Sequence, residues 1–215
     1  MTKSSQLAPD LGTRVTRKRQ MEAYLIQPDH ATITVANVDR DSADFDAFGR
    51  WSLETGGVRI PQEWLKHWPS RAAAPHNSRE PTSWVNAAGY CVSPAVKDVI
   101  EALAPDIHQF VPLVLEAGPK KKRKEYPYYS IHVADRADEV IVEKSEIDWL
   151  EMSGVKYWSR RFAGVVAVPA ASIVGKHIWW NRRANILLIS GELHDQLVAR
   201  GLASGLKFQK QIVVE

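Results

Sequence analysis

Tyr90-Cys91-Val92-Ser93-Pro94 and Leu187-Leu188-Ile189-Ser190-Gly191 open two copies of one pattern, a short apolar strand that ends at a serine. An amphipathic stretch follows each. A strand beginning near a phenylalanine closes each unit, Phe110-Val111-Pro112-Leu113 in the first and Phe208-Gln209-Lys210-Gln211-Ile212 in the second. In the first unit Ser93 is placed to accept an orphan amide of a helical first turn, and Pro94 occupies the position where a missing N–H costs nothing. Val96, Val99, Ile100 and Leu103 then recur at helical spacing on one face, and Pro105 stops the helix. In the second unit Ser190 is the cap, Glu192 lies near the positive end of the helix dipole, Leu193 and Leu197 share a face, and Arg200-Gly201 supplies the stop. The repetition reads either as an internal pseudo-repeat or as two uses of a common unit.

The rest of the chain is mainly strand. Residues 21–26 and 32–35 have strand composition, Pro61 to His67 reads as a short helix, and Val111–Leu115 pairs with Tyr126–Val133 around the Gly118-Pro119 turn. Glu139 to Glu143 adds a further strand, and strands run from Phe162 through Trp179 to Ile189 and again to Val214. Strands outnumber helices and the connections are short. The expected class is therefore α+β, with a mostly antiparallel sheet and two serine-capped helices. The expected organisation is a basic arm over residues 1–20, a strand-rich part over 21–68, a Pro-rich linker over 69–83 (Pro69, Pro75, Pro81) and a main α+β domain over 84–215.

Composition narrows the function classes. The chain has 215 residues, 45% of them hydrophobic and 25% charged, which is ordinary globular usage. A single cysteine, Cys91, lies in an apolar strand, which predicts a reducing compartment and argues against a catalytic thiol. There is no run long enough for a membrane span and no apolar signal core in residues 1–20, so a cytoplasmic location is expected. The formal net charge of +3 is too small to require an acidic partner.

The residues with chemical potential form no catalytic or metal-binding signature. Lys120-Lys121-Lys122-Arg123-Lys124 resembles a nuclear import or nucleic-acid patch, but it occupies a hairpin tip, where a solvated charge run is easily accommodated. A nucleic-acid partner is accordingly not favoured. Asp39, Asp41, Asp44 and Asp46 alternate like a calcium loop, yet the required glycine and closing glutamate are missing, so the segment reads as a solvated face or as a negative patch for a cationic partner. The seven histidines show no metal-ligand spacing, and each reads as a strand-end or surface residue. His108-Gln109-Phe110 reads as structural because no nucleophile accompanies it. No cofactor is expected.

Eight tryptophans are a heavy load for this length. Most are expected to fill the core. Trp179 and Trp180 are adjacent on a strand and must face opposite sides of it, so one lies under a second layer or is available to a partner. With Arg182 they form a candidate contact surface, because Trp and Arg dominate interface hot spots.

The segment from Val92-Ser93 through Leu103-Ala104-Pro105-Asp106-Ile107-His108-Gln109-Phe110-Val111-Pro112, then Tyr129-Ser130-Ile131-His132-Val133 and Asp138 to Val142 with Ser145, resembles a bacterial family of immunity proteins from polymorphic toxin systems. So does the C-terminal run of His177-Ile178-Trp179-Trp180, Ile186 to Ser190, Leu197 and the tail Gly201-Leu202-Ala203-Ser204-Gly205-Leu206-Lys207-Phe208. The likeness covers roughly residues 84–215 and more loosely 21–60. It implies a cytoplasmic antidote that binds one cognate toxin domain and blocks it stoichiometrically, with no catalytic residues of its own. The proposed contacts are Asp39, Asp41, Asp44, Asp46, Trp179, Trp180 and Arg182. Competing readings are a nucleic-acid-binding or regulatory protein that uses the basic arm and the lysine-rich tip, and an enzyme that reverses the toxin's modification. The sequence leaves the oligomeric state open.

Overall fold

The computed structural model describes residues 21–39, 58–75, 80–87, 89–146, 148–152, 155–159 and 164–215, with backbone alone over 148–159. The N-terminal elements are β1 (Ala23–Pro28), β2 (Thr34–Val35), β3 (Asn37–Val38), α1 (Gln62–Leu65), β4 (Arg71–Ala73), β5 (Trp84–Ala87) and β6 (Gly89–Val92). They are followed by α2 (Pro94–Leu103), β7 (Gln109–Ala117), β8 (Lys124–His132), a 3-10 turn at Val142–Lys144, β9 (Asp148–Met152) and β10 (Val155–Ser159). The chain closes with β11 (Ala167–Pro169), α3 (Ala170–Ile173), β12 (Ile178–Asn181), β13 (Ile186–Ser190), α4 (Gly191–Ala199), β14 (Leu206–Lys210) and β15 (Ile212–Val214).

The two serine-led units adopt the same topology. β6 and β7 each pair antiparallel with β8, so they run parallel to one another with β8 inserted between them and α2 as the crossover. β13 and β14 likewise each pair antiparallel with β1, with α4 as the crossover. Ser93 Oγ accepts the amide of Val96 at 3.4 Å, and Ser190 Oγ accepts that of Leu193 at 3.2 Å. α4 ends in a left-handed turn: Gly201 has φ +67°, its N–H donates to Val198, and the N–H of Leu202 donates to Leu197 at 2.8 Å. The two crossover helices pack against each other through Val96, Val99, Ile100, Leu193 and Leu197.

The larger sheet has the order β2-β5-β6-β8-β7-β4-β3. Its two edges are separated in sequence by Ala36 alone, so one stretch of chain borders both and the sheet is a nearly closed barrel. Strand alternation separates its two faces. Inward lie Ala36, Ala72, Val85, Cys91, Leu113, Leu115, Ala117 and Tyr128; outward, toward the crossover helices, lie Trp84, Val92, Phe110, Tyr129 and Ile131. Small residues at several inward positions let a narrow barrel fill without voids.

The smaller sheet, β12-β13-β1-β14, is covered on both faces. Ile26, Ile178, Leu187 and Ile189 face the helices, whereas Ala23, Leu25, Trp179 and Leu188 pack with Val166, Val168 and Ile173. The loop after α4 ties the two sheets together around Trp84, whose Nε1 donates to the carbonyl of Leu202 at 3.1 Å. A Cβ on Gly205, which has φ +93°, would stand 2.7 Å from the Trp84 carbonyl oxygen, so this tail needs glycine there.

Two expectations are revised. Residues 69–83 are not simply a linker, because Arg71–Ala73 is β4, between β7 and β3, and Ala72 and Ala74 are buried. Strands from both sides of that segment share the larger sheet and the smaller four-stranded sheet. Glu139 to Glu143 is not a strand either: the chain there runs irregularly into the 3-10 turn.

Candidate functional site

A cleft of about 400 Å³ opens beside the smaller sheet, lined by Ile26, His30, Tyr90, Trp180, Leu187 and Lys207 among others. Tyr90 comes from the barrel and donates its hydroxyl to the Ile26 carbonyl at 3.3 Å, which joins the two walls. Trp180 is half-buried. Part of its ring packs on the core beneath, and the rest is presented at the cleft. At the rim Lys207 Nζ lies 2.9 Å from Asp29, and this contact, with the Thr32 hydroxyl, holds the Asp29 carboxyl below the ordinary carboxylate range.

Trp179 is removed from the expected contact surface. It is fully buried on the opposite face of the same sheet, packed among Leu25, Val168, Ile173 and Leu188. Its indole N–H finds no partner there, a polar group buried by the demands of shape. Arg182 is exposed in the turn that follows β12. Asn181 shapes that turn by accepting the amide of Ala184 at 2.9 Å, and Asp138 fixes it by accepting the amide of Arg182 at 2.9 Å. Burial opposes ionisation of Asp138, but Arg136 and the Arg182 amide outweigh it and hold this carboxyl low. Trp180 and Arg182 thus belong to one edge of the small sheet.

Asp39, the one described member of the acidic run, lies apart from that edge. Asp39 is exposed at the end of β3, its amide bonded to the Arg71 carbonyl at 3.0 Å, where the barrel closes. Asp41, Asp44 and Asp46 fall outside the described residues, as does the basic arm at 1–20.

The lysine-rich run is divided by the hairpin. Lys120, Lys121, Lys122 and Lys124 are exposed, but Arg123 folds inward. Its guanidinium donates to the carbonyls of Ala74 and Glu116, both at 2.9 Å, and pairs with the Glu116 carboxylate. It clamps the hairpin tip to the end of β4. One member of the supposed patch is therefore a structural tie.

Three histidines stand at strand ends, as expected, but are buried rather than at the surface: His108 before β7, His132 at the end of β8 and His177 before β12. His132 Nε2 lies 2.6 Å from the Val58 carbonyl, and His177 Nδ1 lies 3.4 Å from the capping hydroxyl of Ser190. Next to His108, Gln109 grips the backbone of Ile60 twice, accepting its N–H at 2.6 Å and donating to its carbonyl at 2.8 Å. Residues 58–60 are so held at the mouth of the barrel. His108 has neither nitrogen satisfied. Burial pushes its pKa down to about 4, with His132 and His177 adding to the shift and Asp135 opposing it. Nothing in the sequence around residue 108 distinguishes a satisfied buried imidazole from an orphaned one.

Among the described residues no group of histidine, cysteine, aspartate and glutamate is arranged to hold a metal, and no helix is long and apolar enough to cross a membrane. A model of the immunity protein family Imm11 matches residues 12–213. No curated protein matches the chain.

Proposed function

The chain belongs to the Imm11 immunity protein family, and from that membership we propose that it binds a cognate bacterial toxin in the cytoplasm and neutralises it by stoichiometric occlusion. The family match over residues 12–213 is the observation that carries this reading. The proposed contact runs through the exposed part of Trp180 and through Arg182, at the edge of the inter-sheet cleft. An aromatic ring already seated on a rigid core loses little rotamer freedom on binding, which is what makes such residues effective anchors. The carboxylates of Asp39, Asp41, Asp44 and Asp46 are proposed to speed encounter with a basic toxin surface. Protection arises from occupancy and not from turnover.

Co-expression with a cognate toxin tests the reading. Cells are expected to survive, and the two proteins to co-purify at a fixed ratio. Protection by a catalytic trace of this chain, or survival without complex formation, overturns it.

A further inference from the structure

β14 forms one edge of the smaller sheet, whose order is β12-β13-β1-β14. Its register divides its backbone groups into two sets. The Asp29 N–H donates to the Gly205 carbonyl at 2.9 Å and the Gln211 N–H to that of Ala23 at 2.8 Å, so the odd-numbered residues of β14 bond to β1. Leu206, Phe208 and Lys210 therefore turn their backbone groups away from β1. The Leu206 N–H is taken by the Ala203 carbonyl at 3.1 Å, which leaves the Leu206 carbonyl and both groups of Phe208 and of Lys210 directed outward. Among the described residues no strand pairs with that side of β14. The opposite edge of the sheet is covered, because Trp180 of β12 exchanges backbone hydrogen bonds with Asp135 and Ala137, each at 3.0 Å.

An open edge is ordinarily guarded by lysines that stand over it. β14 carries Lys207 and Lys210, but both are drawn back across their own sheet. Lys207 Nζ lies 2.9 Å from Asp29, and Lys210 Nζ lies 2.7 Å from Glu22 and 5.8 Å from the centre of the Tyr24 ring. Glu22 and Asp29 flank β1, so both ammonium groups lean inward and the edge itself is left without charge. The helix-facing side above it is aromatic and apolar. Phe208 is half-buried and meets the His194 ring of α4 edge-on at 4.8 Å, and Val198, one turn further along α4, is half exposed.

We propose that β14 pairs antiparallel with β14 of a second copy of this chain, about a two-fold axis at Phe208. The strand is self-complementary in that register. Phe208 exchanges two hydrogen bonds with its symmetry mate, and the Lys210 N–H of each copy donates to the Leu206 carbonyl of the other. The overlap stays within Leu206–Lys210 and ends where the chain turns away toward β15. The side chains agree with it: Phe208 stands opposite Phe208, Lys210 opposite Leu206 and Lys207 opposite Gln209, so no like charges face each other across the pair. The product is one continuous sheet through both copies, with an isologous interface. An edge of 5 residues a side is small against the roughly 20–30 of a standard interface, so the dimer exchanges with monomer and accumulates with concentration. The proposed toxin contact at Trp180 lies on the opposite edge of the sheet, and the pairing stands or falls without it.

Sedimentation velocity of the full chain is expected to show monomer at low micromolar concentration and a rising share of dimer toward millimolar. Hydrogen exchange over the same range reads the register. The Phe208 and Lys210 amides are expected to gain protection as concentration rises, while those of Lys207 and Gln209, already bonded to β1, stay as they are. Lys210→Pro removes an outward N–H and leaves the β1 ladder intact. Phe208→Lys sets two ammonium groups opposite one another. Each is expected to weaken self-association at least about tenfold, because in a symmetric dimer every change is felt twice. A chain that stays monomeric throughout, a dimer of undiminished strength in either folded variant, or protection that spares the Phe208 and Lys210 amides overturns the proposal. Protection of those two amides at every concentration gives the edge to another part of the same chain, and protection only in the presence of a cognate toxin gives it to the toxin; either result overturns it as well.

Discussion

Trp179 and Trp180 are consecutive residues of β12, yet they serve different cores: Trp179 is wholly buried on one face of the small sheet, and Trp180 packs on the other and emerges at the cleft. Replacing them should therefore separate stability from binding. Trp179→Ala should cost about 3–5 kcal/mol, as expected for emptying a large buried site, and be measurable by denaturant unfolding. Trp180→Ala should cost clearly less and raise the toxin dissociation rate in a kinetic binding assay. Equal stability losses with unchanged dissociation would contradict this division.

The seam between the crossover helices offers a second test. Leu197 is fully buried there, so Leu197→Ala should destabilise by about 2–5 kcal/mol. Leu103 lies at the end of α2, partly buried against the same cluster, and Leu103→Ala should fall below that range because less apolar surface is lost. Chemical denaturation of the two variants reads the order directly.

The two caps should differ in the same manner. Ser93→Ala and Ser190→Ala each remove an acceptor for a first-turn amide, a loss of about 0.5–2 kcal/mol. Ser190 is completely buried and also lies 3.4 Å from His177 Nδ1, so its replacement leaves two buried groups short of a partner and should be the costlier.

At the β7–β8 tip, changing Lys120, Lys121 and Lys122 to serine should leave the unfolding midpoint unchanged, because their side chains are exposed. Arg123→Ala should instead destabilise by about 1–3 kcal/mol, since it strips the Ala74 and Glu116 carbonyls of a charged donor.

These comparisons show what could be read from the residues. Ser93-Pro94, the apolar spacing of Val96, Val99 and Ile100, and Arg200-Gly201 are local signals, and they delimit both helices. The strand that completes each unit is not local. β8 inserts from the far side of a hairpin, and β1 arrives from the other end of the chain, so the shared topology depends on pairings that no nearby residue announces. Pro69 and Pro75 read as linker because prolines interrupt strands, but here they flank β4 and leave Arg71–Ala73 free to pair. Alternation required Trp179 and Trp180 to part; only the packing of β11 and α3 decided which one was covered. Arg123 was hidden within a run of identical charge, and the orphaned state of His108 depends on neighbours remote in sequence.

Acid should weaken the fold through its histidines. His108, His132 and His177 all have pKa values lowered by burial, so the unfolded chain binds protons more readily than the folded one. Their neutral forms leave stability intact above pH 6.5, and it declines as the pH falls toward 4, the window set by His108. His108 alone accounts for on the order of 3 kcal/mol across that interval, and His108→Leu should flatten the stability profile accordingly. A profile unaltered by that substitution would place the acid sensitivity elsewhere.

The most direct measurement is a titration of the purified chain into a fixed amount of the cognate toxin, with residual toxin activity recorded at each step. Stoichiometric occlusion predicts a linear fall that reaches zero at a fixed whole-number equivalence, with a complex of the same ratio recovered from the mixture. Complete inactivation at a small fraction of an equivalent, or activity undiminished by an excess, would contradict it.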